Sequence, residues 1–292
     1  MSRSIPPGEL TAAPTLHLAE ICWKSRQPPA SAGFPFDVPA IRALTTLELR
    51  APVTFFVGEN GSGKSTLLEA IALAANLPTV GARDLPRDPT LAAQRRLAAA
   101  LRLRWAHRTS RGFFLRAEDF FGYVQRLAAE RSALEQRLAE LEDEYRRQDR
   151  SQLGLTLAQG PVRASLGEMT SRYGVELDSN SHGQSFLQLF QARLVPGGLY
   201  LLDEPEAALS PQSQLGLLAM LLESTAAGSQ FLIATHAPIL LGFEGADILS
   251  FDELPPARVP YESLPHVTLT RDFLNDRTRY LRELRKAVEG DG

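Results

Sequence analysis

Residues 55 to 72 read FFVGENGSGKSTLLEAIA. Within them Gly58, Gly63, Lys64 and Ser65 keep the spacing G-x-x-x-x-G-K-[ST], and Glu59, Asn60, Gly61 and Ser62 fill the interval. The spacing has a chemical purpose. Glycines let the backbone wrap close to a phosphate. Successive N–H groups and the helix start that follows turn positive potential toward it. Lys64 is set to reach the β- and γ-phosphates, the Ser65 hydroxyl to ligate Mg²⁺, and Thr66 to line the same site. Lys64 is one of only three lysines, with Lys24 and Lys286; the rest of the positive charge is arginine. The stretch therefore predicts a nucleoside triphosphate site.

A second anchor is LYLLDE, residues 199 to 204. Four apolar residues run into two carboxylates, at the edge of the strand where an open α/β sheet places its ligands. Asp203 is the candidate to orient Mg²⁺ and Glu204 the candidate general base for an attacking water. An apolar run ending in Asp-Glu also arises simply where a strand leaves a core; its pairing with the phosphate loop favours the chemical reading.

The elements that must position these residues follow from apolar periodicity. Strands are expected at 15–24, 45–50, 53–58, 198–204, 229–237 and 246–253, with a short one at 266–270. Residues 34–44 read as a Pro-broken connection, and 112–121 as a strand that turns. Helices are expected from Lys64 to about Ala75, over 91–105, 124–149 and 211–224, and over a closing 271–288. In the 124–149 helix Leu127, Leu134, Leu138, Leu141 and Tyr145 form a short coiled-coil-like seam that Arg131 interrupts. At ~1.5 Å per residue that helix is roughly 40 Å long. Pro78, Gly81, Pro86 and Pro89 mark a boundary, and 151–180, rich in Gly and Ser, reads as a long loop. Strand-helix alternation predicts an α/β fold with a mostly parallel sheet covered on both faces.

The 292 residues suffice for one large domain. Residues 1–14 read as a loose tail and 15–292 as the domain, with a helical insertion at about 84–185. A net charge of −3 argues against general affinity for nucleic acid. The single cysteine, Cys22, excludes an internal disulfide and a cysteine metal cage; it reads as a core residue beside Trp23 and fits a reducing cytoplasm. No stretch approaches ~18 consecutive apolar residues, so no membrane insertion is expected.

SHGQS, residues 181 to 185, lies just upstream of the Asp-Glu strand. Alone it reads as a helix N-cap. Between the phosphate loop and the Asp-Glu strand, it gives the chain a set of motifs that resembles the ABC-type P-loop ATPases, in particular the soluble AAA/SMC-like branch that is not part of transporters. The usual signature there is Ser-Gly-Gly-Gln; Ser181, Gly183 and Gln184 match, and His182 replaces the first glycine. DEPEAALSP, from 203, resembles the D-loop region, with Ser210 where many members have Asp. His236, in ATHAP (234–238), resembles the switch histidine that contacts the γ-phosphate.

The resemblance implies a P-loop NTPase of ABC-ATPase architecture, with N-terminal antiparallel strands, a mostly parallel core sheet and an inserted helical subdomain. It implies ATP and Mg²⁺ as ligands, hydrolysis as the reaction, and a head-to-tail homodimer in which Ser181 of one copy closes over Lys64, Ser65, Asp203, Glu204 and His236 of the other. The glutamine expected to touch the metal after a strand is missing from FFLRAEDFF; Glu118 takes its place as candidate, with Gln125 further along. Trp23, Phe34 and Phe36 are candidates to stack on adenine, each also readable as core or hinge.

What the cycle drives stays open at this level. Eight arginines at 83, 87, 95, 96, 102, 104, 108 and 111 offer a surface to nucleic acid, or are a solvated helix face in an arginine-rich chain. A nucleic-acid maintenance or defence ATPase, a transporter motor subunit and a nucleotide-dependent scaffold are the alternatives. Each of them needs a protein partner that the sequence does not name.

Overall fold

The computed structural model describes residues 16–25, 32–80, 91–173 and 182–290. The chain begins with β1 (Leu18–Trp23), α1 (Pro39–Ala43), β2 (Thr46–Glu48), β3 (Val53–Val57) and α2 (Lys64–Ala75). Next come β4 (Thr79–Val80), α3 (Ala92–Ala100), β5 (Leu101–Trp105), β6 (Gly112–Arg116) and two long helices, α4 (Ala117–Arg147) and α5 (Gln152–Tyr173). The second half holds α6 (His182–Arg193), β7 (Leu199–Asp203), α7 (Pro211–Ala226), β8 (Gln230–Ala234), α8 (Pro238–Leu241), β9 (Asp247–Ser250), β10 (Ala257–Arg258), α9 (Pro265–Asn275) and α10 (Arg277–Gly290).

Two sheets organise these elements. The larger has seven strands in the order β10-β9-β3-β8-β7-β6-β4. All its pairs are parallel except β10 with β9. The smaller is antiparallel, in the order β2-β1-β5. In β3, β7 and β8 every residue is buried, as a parallel sheet covered on both faces requires.

Alternation along the strands splits the core in two. Phe56, Phe114, Leu201 and Leu232 face α2 and the small sheet, where Leu67, Leu68 and Ile71 meet Leu18, Ile21 and Leu47. Phe55, Phe113, Leu202 and Ile233 face the other side and pack against Phe186 and Phe190 of α6 and Leu217 and Leu221 of α7. Each such side chain contributes roughly 1.5–3 kcal/mol on burial. The parallel sheet is thus a rigid floor, and its carboxyl ends, at Val57, Arg116, Asp203 and Ala234, share one edge.

Several elements differ from the sequence expectation. Residues 91–105 are a helix followed by a strand: LRLRW alternates with period two and joins β1 as β5. The Pro-broken connection at 34–44 contains α1, which Pro39 starts at its first position. The long helix begins earlier than expected, directly after β6, and at ~1.5 Å per residue its 31 residues span roughly 46 Å.

Residues 152–173, expected as loop, form α5, which packs on α4. Gln159, buried, donates to the Glu142 carboxylate at 3.0 Å across that pair. Residues 266–270, expected as strand, lie in α9, started by Pro265. The closing helix over 271–288 is two helices that break at Asp276. The segment read as a helical insertion, about 84–185, also supplies β5 and β6, so its purely helical part is α4 and α5. The tail 1–14, and Arg83 and Arg87 of the basic stretch, lie outside the described residues.

Candidate functional site

The loop between β3 and α2 takes a conformation that only glycine accepts at two points. Gly63 has φ 104°, and a Cβ there would stand 2.8 Å from Val38 Cγ1. Gly58 has φ 143°, and a Cβ would stand 2.9 Å from Asp252 Oδ1. No side chain caps the start of α2, so its N–H groups remain open toward the loop. Glu59, Asn60 and Gly61 are exposed at the rim. The Glu59 N–H donates to Asp252 Oδ1 at 2.8 Å.

Lys64 folds back over this loop. Its ammonium donates to the carbonyls of Gly58 at 2.7 Å and Glu59 at 3.0 Å, and only 4% of the residue is exposed. Burial holds the ammonium below the ordinary lysine range, and the carboxylates of Glu204, Asp252, Asp203 and Glu206 pull the other way. A buried ammonium held by two neutral loop carbonyls is placed to exchange them for an anion.

Ser65, next on α2, donates its hydroxyl to Asp203 Oδ1 at 2.9 Å. Asp203 ends β7 and is buried. Burial pushes its carboxyl up to about 6; the Ser65 bond and the Arg116 guanidinium oppose that. Arg116 ends β6, opposite Asp203 in register, with Nε 3.9 Å from Asp203 Oδ2. Its guanidinium also pairs with Glu69 of α2.

Glu204 follows with φ 49°, a left-handed conformation that a non-glycine residue takes only when its surroundings impose it. Its N–H donates to the Ala234 carbonyl at 2.9 Å. A cleft of about 220 Å³ is lined by Ser65, Glu69, Arg116, Glu118, Asp203 and Glu204. Glu118, exposed in the first turn of α4, is thereby placed beside Ser65 and Asp203, whereas Gln125 is exposed on α4 and is not among the residues lining the cleft.

At the far side of Glu204, the backbone N–H of His236 donates to Glu206 Oε1 at 2.6 Å. Burial raises the Glu206 carboxyl, against that bond. Ser62 Oγ, Glu206 Oε2 and His236 Nε2 are all shut off from solvent with no hydrogen-bond partner. Buried polar atoms left unpartnered are uncommon. Ser62 Oγ and His236 Nε2 can each donate to a phosphate oxygen, whereas the Glu206 carboxylate, when ionised, can only accept.

For Mg²⁺ the donor set is one hydroxyl and one carboxylate, both hard oxygens. Among the described residues no group of three or more His, Cys, Asp or Glu forms an all-protein metal cage.

Ser181 lies outside the described residues. His182 and Gly183 open α6, and Gln184 is exposed there. α6 packs on α5, α7 and the turn at 205–208. Ser210 caps α7, accepting from the Ser213 N–H at 3.2 Å. Of the aromatic candidates, Trp23 donates its indole N–H to the Leu44 carbonyl at 2.7 Å and Phe36 is core. Phe34 is 49% exposed. Cys22 is a free, buried residue of β1.

The sequence reading missed Arg116, Glu69, Glu206 and Asp252. Asp252 carried a signal: ILSFDE, at 248–253, repeats the apolar-run-to-Asp-Glu pattern of 199–204. Arg116 and Glu69 carried none, since both are one charge within an ordinary strand or helix.

Two family models match the sequence. One, described as "AAA domain", matches residues 38–87. The other, described as "AAA domain, putative AbiEii toxin, Type IV TA system", matches residues 100–242. A search of curated proteins finds no match.

Solved structures similar to the chain include cbiO1 from Clostridium perfringens, part of the ABC transporter complex cbiONQ. It is 16% identical, with 92% of this chain and 99% of that chain covered and a TM-score of 0.44. An Smc head domain with an extended coiled coil from Pyrococcus furiosus, bound to the C-terminal domain of ScpA, is 10% identical, with 92% and 100% covered and a TM-score of 0.41. A nucleotide-free ATP-binding cassette from an ABC transporter is 18% identical, with 77% and 91% covered and a TM-score of 0.39.

The first family match carries the phosphate loop and the second carries Asp203, Glu204 and His236; the chain is thus similar, on both sides of its cleft, to P-loop ATPases with an AAA domain.

Proposed function

We propose that the chain hydrolyses ATP in the cleft between the phosphate loop and the end of β7, and that two copies complete each other's sites. One observation carries the reading: the Ser65 hydroxyl and the Asp203 carboxylate meet at 2.9 Å at the foot of the loop, 138 residues apart in sequence. A hydroxyl from a helix start and a carboxylate from a strand end, joined in this way, form the oxygen pair that a triphosphate-bound Mg²⁺ needs.

The roles follow from position. Lys64 exchanges its loop carbonyls for phosphate oxygens. Ser65 and Asp203 hold Mg²⁺, which when bound offsets phosphate charge. Glu204, exposed at the cleft and fixed by its left-handed backbone, orients the attacking water and accepts its proton. His236 faces the terminal phosphate. Gly183 and Gln184, at the start of α6, serve the nucleotide of a second copy.

Glu204→Gln tests this. Turnover is expected to fall by about 10²–10⁴-fold, while ATP and Mg²⁺ convert the variant to a dimer in light scattering. Unchanged turnover would sink Glu204 as the base. Lost turnover with no ATP-dependent dimer would sink the two-copy site.

The basic stretch supports a structural part better than a nucleic-acid one. Arg96 donates to the carbonyls of Ala32 and Phe34 and lies over the Phe36 ring. Arg102 donates to the Lys24 carbonyl, Arg104 to Glu20 and Arg111 to the Pro196 carbonyl. Arg102 and Arg104 thus join β5 to β1 and the residue after it, Arg96 fastens α3 to residues 32–36, and Arg111 joins the segments that precede β6 and β7. ATPase rates with and without duplex DNA, at two salt concentrations, decide the matter: stimulation that salt suppresses would restore the nucleic-acid reading.

A further inference from the structure

A histidine outside both motif regions reaches the same end of the phosphate loop. His266 stands at the start of α9. Its ring centre lies 6.2 Å from that of His236, with the ring planes at 65°, edge to face. Nε2 of His266, like Nε2 of His236, is shut off from solvent and has no hydrogen-bond partner. Burial lowers the affinity of His266 for a proton, His236 and Lys64 act in the same direction, and Asp252 opposes them. Geometry locates the ring: it stands against His236, two residues past Ala234, and Ala234 pairs in register with Phe56, two residues before Gly58 of the phosphate loop.

The backbone gives this ring its place. Leu264 and Val267, on either side of it, are buried in the same core as Ala237, Leu240 and Leu241. Tyr261 donates its hydroxyl to the Pro238 carbonyl at 3.1 Å. Residues 261–267 are thus fastened onto the turn that follows His236. A buried imidazole nitrogen without a partner is unfavourable. Two of them on neighbouring rings, beside a loop built for phosphate, point to a guest with several acceptor oxygens.

We propose that His266 belongs to the triphosphate site: with His236 it forms a two-histidine wall at the γ-phosphate end, through which the chain distinguishes a nucleoside triphosphate from a diphosphate. The proposal rests on the ATPase reading above and adds a residue from the C-terminal segment to it. An imidazole N–H supplies a donor to a phosphate oxygen. A diphosphate leaves that donor unsatisfied, so the contact is specific to the third phosphate.

Calorimetric titration of the full chain with a non-hydrolysable ATP analogue and with ADP, both with Mg²⁺, reads the effect. His266→Ala is expected to weaken the triphosphate analogue roughly tenfold, the worth of one charge-assisted hydrogen bond, and to leave ADP unchanged. His266→Gln, which keeps an N–H donor, is expected to recover part of the loss. Equal weakening of both nucleotides, with a lowered melting temperature, would show packing alone and overturn the proposal.

The wild-type chain supplies a second measurement that needs no folded variant. It has five histidines, so the imidazole C2–H resonances are few. The triphosphate analogue, but not ADP, is expected to shift two of them, and assignment of both to residues other than His266 would overturn the proposal. Lys64→Ala separates the two readings. Triphosphate binding that needs Lys64 but ignores His266 sinks this proposal alone; absence of triphosphate binding in the wild type sinks the ATPase reading with it.

Discussion

Asp203 stands where a carboxylate is unfavourable. It ends a strand buried along its whole length, and burial lifts its carboxyl from an ordinary 3.8 to about 6. A carboxyl raised on folding costs nothing below its unfolded value, and its cost grows with pH until it is complete above the folded value. At neutral pH that cost is on the order of 3 kcal/mol, at ~1.36 kcal/mol per pH unit. Asp203→Asn keeps an acceptor for the Ser65 hydroxyl and removes the buried charge. Its melting temperature is expected to exceed the wild type's at pH 7.5, with the gap closing as pH falls toward 4, while Mg²⁺-dependent hydrolysis is lost. A gap that does not change with pH would show that the ionised carboxyl is not the source. On the proposed reading a metal is what retains that charge, and in the sequence Asp203 and Glu204 stand out as an anomaly at the end of an apolar run. Arg116, which balances that charge, and Glu69, which shares its guanidinium, were not legible, because their meaning comes only from the parallel register that sets Arg116 beside Asp203.

The same division holds among the elements. Strands β3, β7 and β8 were legible because both faces are covered, and covering both faces turns the sequence of a strand into a short unbroken apolar run. The α2 helix was legible to the residue, since a glycine in the left-handed region starts it and Asn76, at φ 55°, ends it. α5 was not: Gly154, Gly160, Gly167 and Pro161 all disfavour a helix, and it forms because α4 supplies a partner for its length. α9 was masked by its β-branched residues and is held by Leu264 and Val267 instead. Docking of the small sheet on the large one was equally hidden, because its polar clasp, beside the shared apolar core, is a buried amide. Gln230 of β8 accepts from the N–H groups of His17 and Leu18, at 2.9 and 2.8 Å, and donates to the Leu18 carbonyl at 2.8 Å. Gln230→Leu leaves those backbone groups unpaired, at a cost of about 1–3 kcal/mol for each one left without a partner. The melting temperature is expected to fall, with hydrogen exchange accelerated in β1 before β8. Uniform acceleration across both sheets would show that the amide does not act as a local clasp.

At the scale of the whole molecule, the cleft is built on one side only. The phosphate loop, Asp203, Glu204 and His236 converge at the carboxyl edge of the large sheet, while Gly183 and Gln184 open α6, with Gln184 exposed. Completion of each other's sites by two copies, as proposed, has a consequence in mixtures. Lys64→Ala removes the phosphate-holding cation of a copy's own site. Gly183→Asp sets a carboxylate where the other copy's phosphate is to lie, and like charges repel. Each variant alone carries the same defect in both sites of its dimer and is expected to be inactive. When the two are mixed, one site of every mixed dimer collects both defects and the other collects none. With random assortment half of the dimers are mixed and each keeps one intact site of two, so about a quarter of wild-type turnover is expected to return. The rate should rise with protein concentration as the mixed dimer forms, then level off. Recovery near a quarter would establish that α6 of one copy serves the loop of the other. No recovery, with both variants folded and free to exchange partners, would mean that each chain completes its own site or that neither site works unless both are intact. Single-site turnover of the mixed dimer, measured with one copy tethered to the other, separates those two, because only the second gives an ATP-bound dimer that never turns over.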